Sequence, residues 1–326
     1  MMIVKCTRLT PGPAMAMALL AAACACCAHA QEFSKQTFTY KKAQGCEIKL
    51  DIMRPEGNGV RPVILWIHGG ALIFGHRSNI NREQLRRYLR AGFAVVSIDY
   101  RLAPESKLPA ILEDVRDAHQ WLRENGRRLL RIDPERLAVV GHSAGGYLTL
   151  MAGTLLKPPP RALVSFYGYG DIAGEWYSRP DPFYSAQPAV TELEARSSVG
   201  SKALSEPPRE NTRFRFYLYC RQRGLWPKEV TGVDPDAEPA RFIPWCPLRN
   251  VTRDYPPTLL LHGDKDTDVP YQQSVLMAAE LEKHGVVHDM VTIPGGPHGF
   301  DHAMEKAEAA AAFERALDFL KRHLKP

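Results

Sequence analysis

Cysteine is scarce once the first thirty residues are set aside: only Cys46, Cys220 and Cys246 remain. An odd count excludes a fully paired disulfide framework, and no two of them are spaced as a zinc-binding pair. Two readings stay open, a Cys220 to Cys246 bridge or three buried, reduced thiols. Long apolar runs are missing as well: the uninterrupted stretch Ala14 to Ala23 has about half of the ~20 residues that span a bilayer. No stable membrane span is expected. Lysine and arginine total 42 against 36 acidic residues, but they are scattered without a basic block, which argues against a nucleic-acid partner. Internal repeats are absent, and low complexity is confined to Pro158 to Pro160.

What is present begins with a leader. Lys5 and Arg8 precede the apolar stretch, and Ala28-His29-Ala30 follows it as a small-x-small cleavage site, so residues 1–30 read as a secretory signal peptide. The expected product is secreted or periplasmic. Loss of Lys5 and Arg8 would lower the formal charge of +6 by two. Residues 31–326 suit one large domain with a sizeable core.

Apolar runs alternate with helix-like segments along that domain. Val63 to Ile67, Ala94 to Ile98, Leu137 to Val140, Ala162 to Tyr167, Thr258 to Leu261 and Met290 to Ile293 read as strands. Arg82 to Arg90, Ala110 to Glu124, Gly145 to Leu156, Tyr271 to Lys283 and Met304 to His323 read as helices between and after them. The class is α/β, with a mostly parallel central sheet covered on both faces. From about 170 to 256 the period is lost, and a loop that long is implausible in a compact domain, so an inserted helical subdomain or lid is expected. Its aromatic residues, among them Trp176, Phe214, Tyr217 and Trp226, either line a substrate pocket or form the insert's own core.

Gly141-His142-Ser143-Ala144-Gly145 follows one of the strands and opens a helix. Glycines flank a serine in this way where a strained strand-to-helix turn brings backbones too close for side chains and leaves the hydroxyl exposed as a nucleophile. A serine hydroxyl is hardly ionised at neutral pH, so it needs a base and an acid that orients the base. After the strand Thr258 to Leu261 comes a loop with Asp264, Asp266 and Asp268, of which Asp266 is the chosen acid and either of the others an alternative. His298, set among glycines just past the last strand, is the chosen base. His68-Gly69-Gly70-Ala71 follows the strand Val63 to Ile67, and the backbone N–H groups of Gly69, Gly70 and Ala144 can converge on an oxyanion.

With these residues in hand, the chain resembles α/β-hydrolases of the esterase and lipase type, close to the hormone-sensitive-lipase-like and the acetyl- and feruloyl-esterase groups. HGGALIFG from His68, DYRLAPE from Asp99, GHSAGG from Gly141, HGDKDTDVP from His262 and GGPHGF from Gly295 carry the resemblance, from about Arg61 to Phe300. It implies that Ser143 is the nucleophile, Asp266 the acid and His298 the base, with Gly69, Gly70 and Ala144 as oxyanion donors. The implied activity is hydrolysis of a small or medium acyl ester through an acyl-enzyme, with a small-molecule substrate and neither metal nor organic cofactor. A peptidase or amidase, an acyltransferase, or an inactive fold used for binding are the alternatives. Three features depart from the family pattern. Ala71 holds the place of a third glycine, which speaks against bulky or tertiary alcohol esters; His142 stands where aspartate is common; and the irregular segment lies before the acid rather than at the N-terminus.

Overall fold

The computed structural model describes residues 33–208 and 212–326, so the expected leader lies outside them. The chain opens with an antiparallel pair, β1 (Ser34–Ala43) and β2 (Cys46–Arg54), turned at Gln44-Gly45. Sequence reading passes over both strands, because β1 faces solvent along most of its length and carries few apolar residues. There follow β3 (Arg61–Ile67), α1 (Arg82–Arg90), β4 (Ala94–Ile98), α2 (Leu108–Asn125), β5 (Ile132–His142), α3 (Ala144–Leu155) and β6 (Ala162–Phe166). Among the described residues the insert supplies five short α-helices, α4 (Glu175–Ser178), α5 (Pro182–Ser185), α6 (Glu192–Ser197), α7 (Phe214–Arg223) and α8 (Trp226–Thr231). The sheet resumes with β7 (Thr258–Gly263), α9 (Gln272–Lys283) and β8 (His288–Ile293), and α10 (Ala307–Leu324) closes the chain.

The eight strands lie in the order β1-β2-β4-β3-β5-β6-β7-β8. β2 pairs antiparallel with β1 and β4; every other neighbour is parallel. Alternation along β3 shows why such strands read as continuous apolar runs: Val63, Leu65 and Ile67 enter one core, while Ile64 and Trp66 enter the other. α2, α3 and α9 cover the first face, and α1 and α10 the second. α1 starts at Asn81, whose side chain accepts from the N–H groups of Glu83 and Gln84 and so satisfies two donors left open by the first turn.

The segment from about 170 to 256 contains short helices, but it is not a body apart. Phe216, Trp226, Val230 and Phe242 belong to the same buried cluster as Val63, Leu65 and Ile67. Cys46, Cys220 and Cys246 are free thiols, so the disulfide alternative is not formed. Burial pushes the Cys246 thiol up to about 12, which keeps it protonated and unreactive. Among the described residues no helix is long and apolar enough to cross a membrane.

Candidate active site

Ser143 stands between the last residue of β5 and the first of α3 with φ 55° and ψ −119°, a left-handed conformation uncommon for a residue with a Cβ. Its neighbours impose that conformation. Ser143 N donates to Phe166 O at 2.9 Å, and Tyr147 N donates to Ser143 O at 2.9 Å. The flanking glycines answer to contacts: a Cβ on Gly141 would fall 2.1 Å from Gly145 O, and one on Gly145 would fall 2.1 Å from Ile67 O. Only without those atoms can the start of α3 press on the ends of β3 and β5.

The loop after β7 and the turn after β8 meet over this serine. His298 Nε2 lies 3.1 Å from Ser143 Oγ, and His298 Nδ1 lies 2.7 Å from Asp266 Oδ2. Asp266 is buried, and its Oδ1 accepts from the N–H groups of Asp268 at 2.8 Å and Val269 at 2.9 Å. Burial alone would raise this carboxyl, but hydrogen bonds from His262 and His298 outweigh it and hold the group well below the usual carboxylate range. His262 is itself fixed by Ser274 Oγ at 2.7 Å and Val269 O at 3.0 Å. Of the alternatives, Asp264 accepts from Gly295 N at 2.7 Å on the exposed side of the turn.

Asp268 lies on the opposite side of the imidazole. Its Oδ1 accepts from the hydroxyls of Tyr184 (2.9 Å) and Tyr217 and stands 3.3 Å from Arg221 Nη1, while Oδ2 is 3.4 Å from His298 Nε2. Burial pulls the His298 pKa down, but Asp268 and the bonded Asp266 more than offset this, so the ring titrates above its ordinary value.

The loop after β3 is held carbonyl by carbonyl. Gly69 O meets His68 Nδ1 at 2.7 Å, and Gly70 O accepts from Ile73 N and Phe74 N. Ala71 O accepts from Trp226 Nε1 at 2.9 Å, Leu72 O from Ala103 N at 2.8 Å, and Ile73 O from Arg213 Nε at 2.6 Å. Ala71 and Leu72 have φ of 53° and 60°, and these bonds fix that unusual path. A Cβ on Gly69 would come 2.7 Å from His142 O and 3.2 Å from Ser143 Cβ, so the loop lies directly on the elbow. His68 stacks on Tyr100 at 4.2 Å, and burial drives it down to about 3, which leaves it neutral and structural.

The DYRLAPE segment is the support beneath. Tyr100 donates to His68 O at 2.9 Å, Arg101 is buried against Asp114, and Glu105 pairs with Arg213 of the insert. Asp99 accepts from Arg77 N at 2.7 Å. Among the described residues, His76, Asp99 and Glu206 bring possible metal-ligand atoms within 4.8 Å of one another. The Arg77 guanidinium donates to both of those carboxylates and already supplies the positive charge there.

A cavity of about 1270 Å³ opens over Ser143 and His298, and Gly69, Gly70, Phe214 and Tyr217 contribute to its walls. The insert's aromatics therefore divide. Phe214 and Tyr217 face the cavity, whereas Trp176, Tyr177 and Trp226 stack inside, with successive ring centroids 3.8 and 4.0 Å apart. His142 stacks on Phe166 at 4.5 Å, its Nε2 2.9 Å from Asp301, which also accepts from Tyr167 and Gln84 at 2.6 Å each. Sequence reading offers Asp268 only as an alternative acid and gives His262 and Asp301 no role; Asp268 and Asp301 are placed by contacts between distant segments, His262 by the fold of its own loop. The pairing of Arg221 with Asp268 spans 47 positions, and that of Tyr167 with Asp301 spans 134.

A family model described as an alpha/beta hydrolase fold matches residues 64–302. Non-reducing polyketide synthases are among the curated relatives: one from Emericella nidulans is 29% identical over 91% of this chain, and one from Preussia isomera is 28% identical over 88%. The chain spans about 14% of the length of the first and 13% of the second. Among solved structures, an alpha/beta hydrolase superfamily protein from Enterococcus faecalis superposes with a TM-score of 0.70 at 22% identity, covering 89% of this chain and 98% of that one. Esterase LipW from Mycobacterium marinum gives 0.65 at 24% identity, covering 96% and 88%. A carboxyl esterase from Tuber melanosporum gives 0.65 at 23%, covering 91% and 89%.

Proposed function

The chain belongs to the alpha/beta hydrolase fold family, and from that premise we propose that it is a serine carboxylic-ester hydrolase that works through an acyl-enzyme. One observation carries the reading: a nucleophile elbow at Ser143 continuous with His298 and Asp266 through contacts of 3.1 and 2.7 Å. Ser143 Oγ attacks the ester carbonyl carbon while His298 Nε2 takes its proton. The carbonyl electrons move to oxygen, where the N–H groups of Gly69, Gly70 and Ala144 stabilise the charge. When the tetrahedral species collapses, the bond to the alcohol oxygen breaks and His298 returns the proton to it. Water then attacks the acyl-enzyme, again losing its proton to His298, and the acid departs as Ser143 recovers its hydrogen. Asp266 holds the imidazole by Nδ1 throughout and balances its transient positive charge.

Replacement of Ser143 by alanine tests this. The variant is expected to lose p-nitrophenyl acetate hydrolysis by about 10⁴-fold or more, with an unchanged circular dichroism spectrum. Retained turnover by the purified, folded variant would overturn the assignment. Export belongs to the same proposal, supported by Lys5, Arg8, the apolar stretch and Ala28-His29-Ala30. N-terminal sequencing of the exported protein is expected to begin at Gln31; an intact leader on active protein retained inside the cell would count against it.

A further inference from the structure

Asp268 is not needed for the relay, yet it stands at the atom through which the relay delivers protons. Its two oxygens are used unequally. Oδ1 faces Tyr184 Oη, Tyr217 Oη and Arg221 Nη1, while Oδ2 has, among the described residues, only His298 Nε2, at 3.4 Å, on its cavity side. Arg221, buried and also bonded to Asp181 at 2.6 Å and to Asp268 O at 3.0 Å, holds the carboxylate in place. Neutral His298 offers Oδ2 no hydrogen, because its one proton is on Nδ1 facing Asp266. While His298 is neutral and substrate binds, then, Oδ2 is an acceptor in the cavity wall with no donor among the described residues, just where the alcohol oxygen of an ester must approach Nε2.

From this geometry we infer that Asp268 is the specificity-determining residue on the leaving-group side, accepting a hydrogen bond from a hydroxyl next to the ester on the alcohol, so that the preferred substrates are polyol monoesters. This deepens the ester-hydrolase reading and rests on it. A hydroxyl on the carbon beside the ester-bearing carbon lies close enough to the ester oxygen to reach Oδ2 while that oxygen meets Nε2. Phe74, Phe214 and Tyr217, with ring centroids 6.1 to 6.2 Å apart, give the carbon skeleton of the alcohol an apolar wall beside the carboxylate. Asp266, Asp268 and Asp301 surround His298, so a second anion on the substrate meets repulsion.

The test compares kcat/KM for 2-hydroxyethyl acetate, ethyl acetate and acetylcholine, which carries a positive charge but no donor. The wild-type protein is expected to favour 2-hydroxyethyl acetate over ethyl acetate by about tenfold, the effect of a hydrogen bond to a charged acceptor, and acetylcholine by much less. In Asp268→Asn the amide oxygen would face the three donors and the NH₂ group would face the cavity, so the ratio is expected to fall to near one. Because the ratio compares two substrates on one enzyme, general damage to His298 cancels from it. A wild-type ratio near one, an unchanged ratio in Asp268→Asn, or acetylcholine equal to 2-hydroxyethyl acetate would each overturn the inference. Asp268→Ala serves as a second variant, and if neither folds the wild-type ratios decide. Turnover of none of these esters nor of p-nitrophenyl acetate by wild type would instead refute the ester-hydrolase reading itself.

Discussion

Three aspartates stand within five residues of the loop after β7, and their side chains meet three different environments. Asp264 caps a turn at the surface, Asp266 is buried under the imidazole, and Asp268 faces its other nitrogen. Asp266→Asn is therefore expected to lower kcat for p-nitrophenyl acetate by about 10⁴-fold by favouring the wrong tautomer of His298. Asp264→Asn is expected to change it less than about threefold; an equal fall in both would show that the wrong acid has been chosen. The pH profile gives a second handle. The proposed mechanism needs neutral His298, whose pKa lies above its ordinary value, so activity should fall away on the acid side from above pH 6.5. Removing the Asp268 charge withdraws support from the imidazolium, lowers that pKa and moves the acid limb of kcat/KM to lower pH. A limb in Asp268→Asn that stays put or moves upward would contradict the stated cause.

At the scale of elements, much of the sheet could be read from apolar runs, since β3, β4, β6 and β7 are buried on both faces and announce themselves by composition. β5 is longer than its apolar run suggests, because its first half carries Asp133, Pro134 and Glu135, residue types that signal a turn. β1 was illegible for a related reason, since a solvated edge needs polar residues, and β2, paired on both sides, alternates Glu47, Lys49 and Asp51 with Ile48, Leu50 and Ile52 rather than forming an apolar run. That Ser143, His298 and one aspartate would be brought together was legible because strand, turn and glycine accompany each, whereas which of the three aspartates meets His298 Nδ1 depends on which way the turn after β7 points each side chain. α7 shows what pattern reading cannot see, a buried cation. Arg221 lies 4.8 Å from the rings of Tyr177 and Tyr184 and pairs with Asp181 and Asp268. Arg221→Leu leaves two carboxylates without their partner and is expected to cost about 3 kcal/mol of stability in urea unfolding. A loss below about 1 kcal/mol would mean that solvent screens this pair as it does at a surface.

Taken whole, the molecule has two cores divided by one sheet, and the insert belongs to the first of them. Three of the five tryptophans, Trp176, Trp226 and Trp245, sit in the insert, so tryptophan fluorescence is weighted towards it, with Trp66 and Trp121 adding a contribution from β3 and α2, while far-ultraviolet circular dichroism reports the sheet and its helices. Their urea transitions are expected to coincide; an earlier fluorescence transition would reveal an insert that melts alone. Trp226 and Arg213 also hold the carbonyls of Ala71 and Ile73 in the loop beside Ser143. That pair of bonds limits how such a protein can diversify. Exchanging the whole insert for that of another enzyme would unfasten the loop along with the cavity roof, so new substrate ranges are open chiefly to single replacements at cavity-facing positions such as Phe214, Tyr217 and Asp268, which leave the fastening untouched.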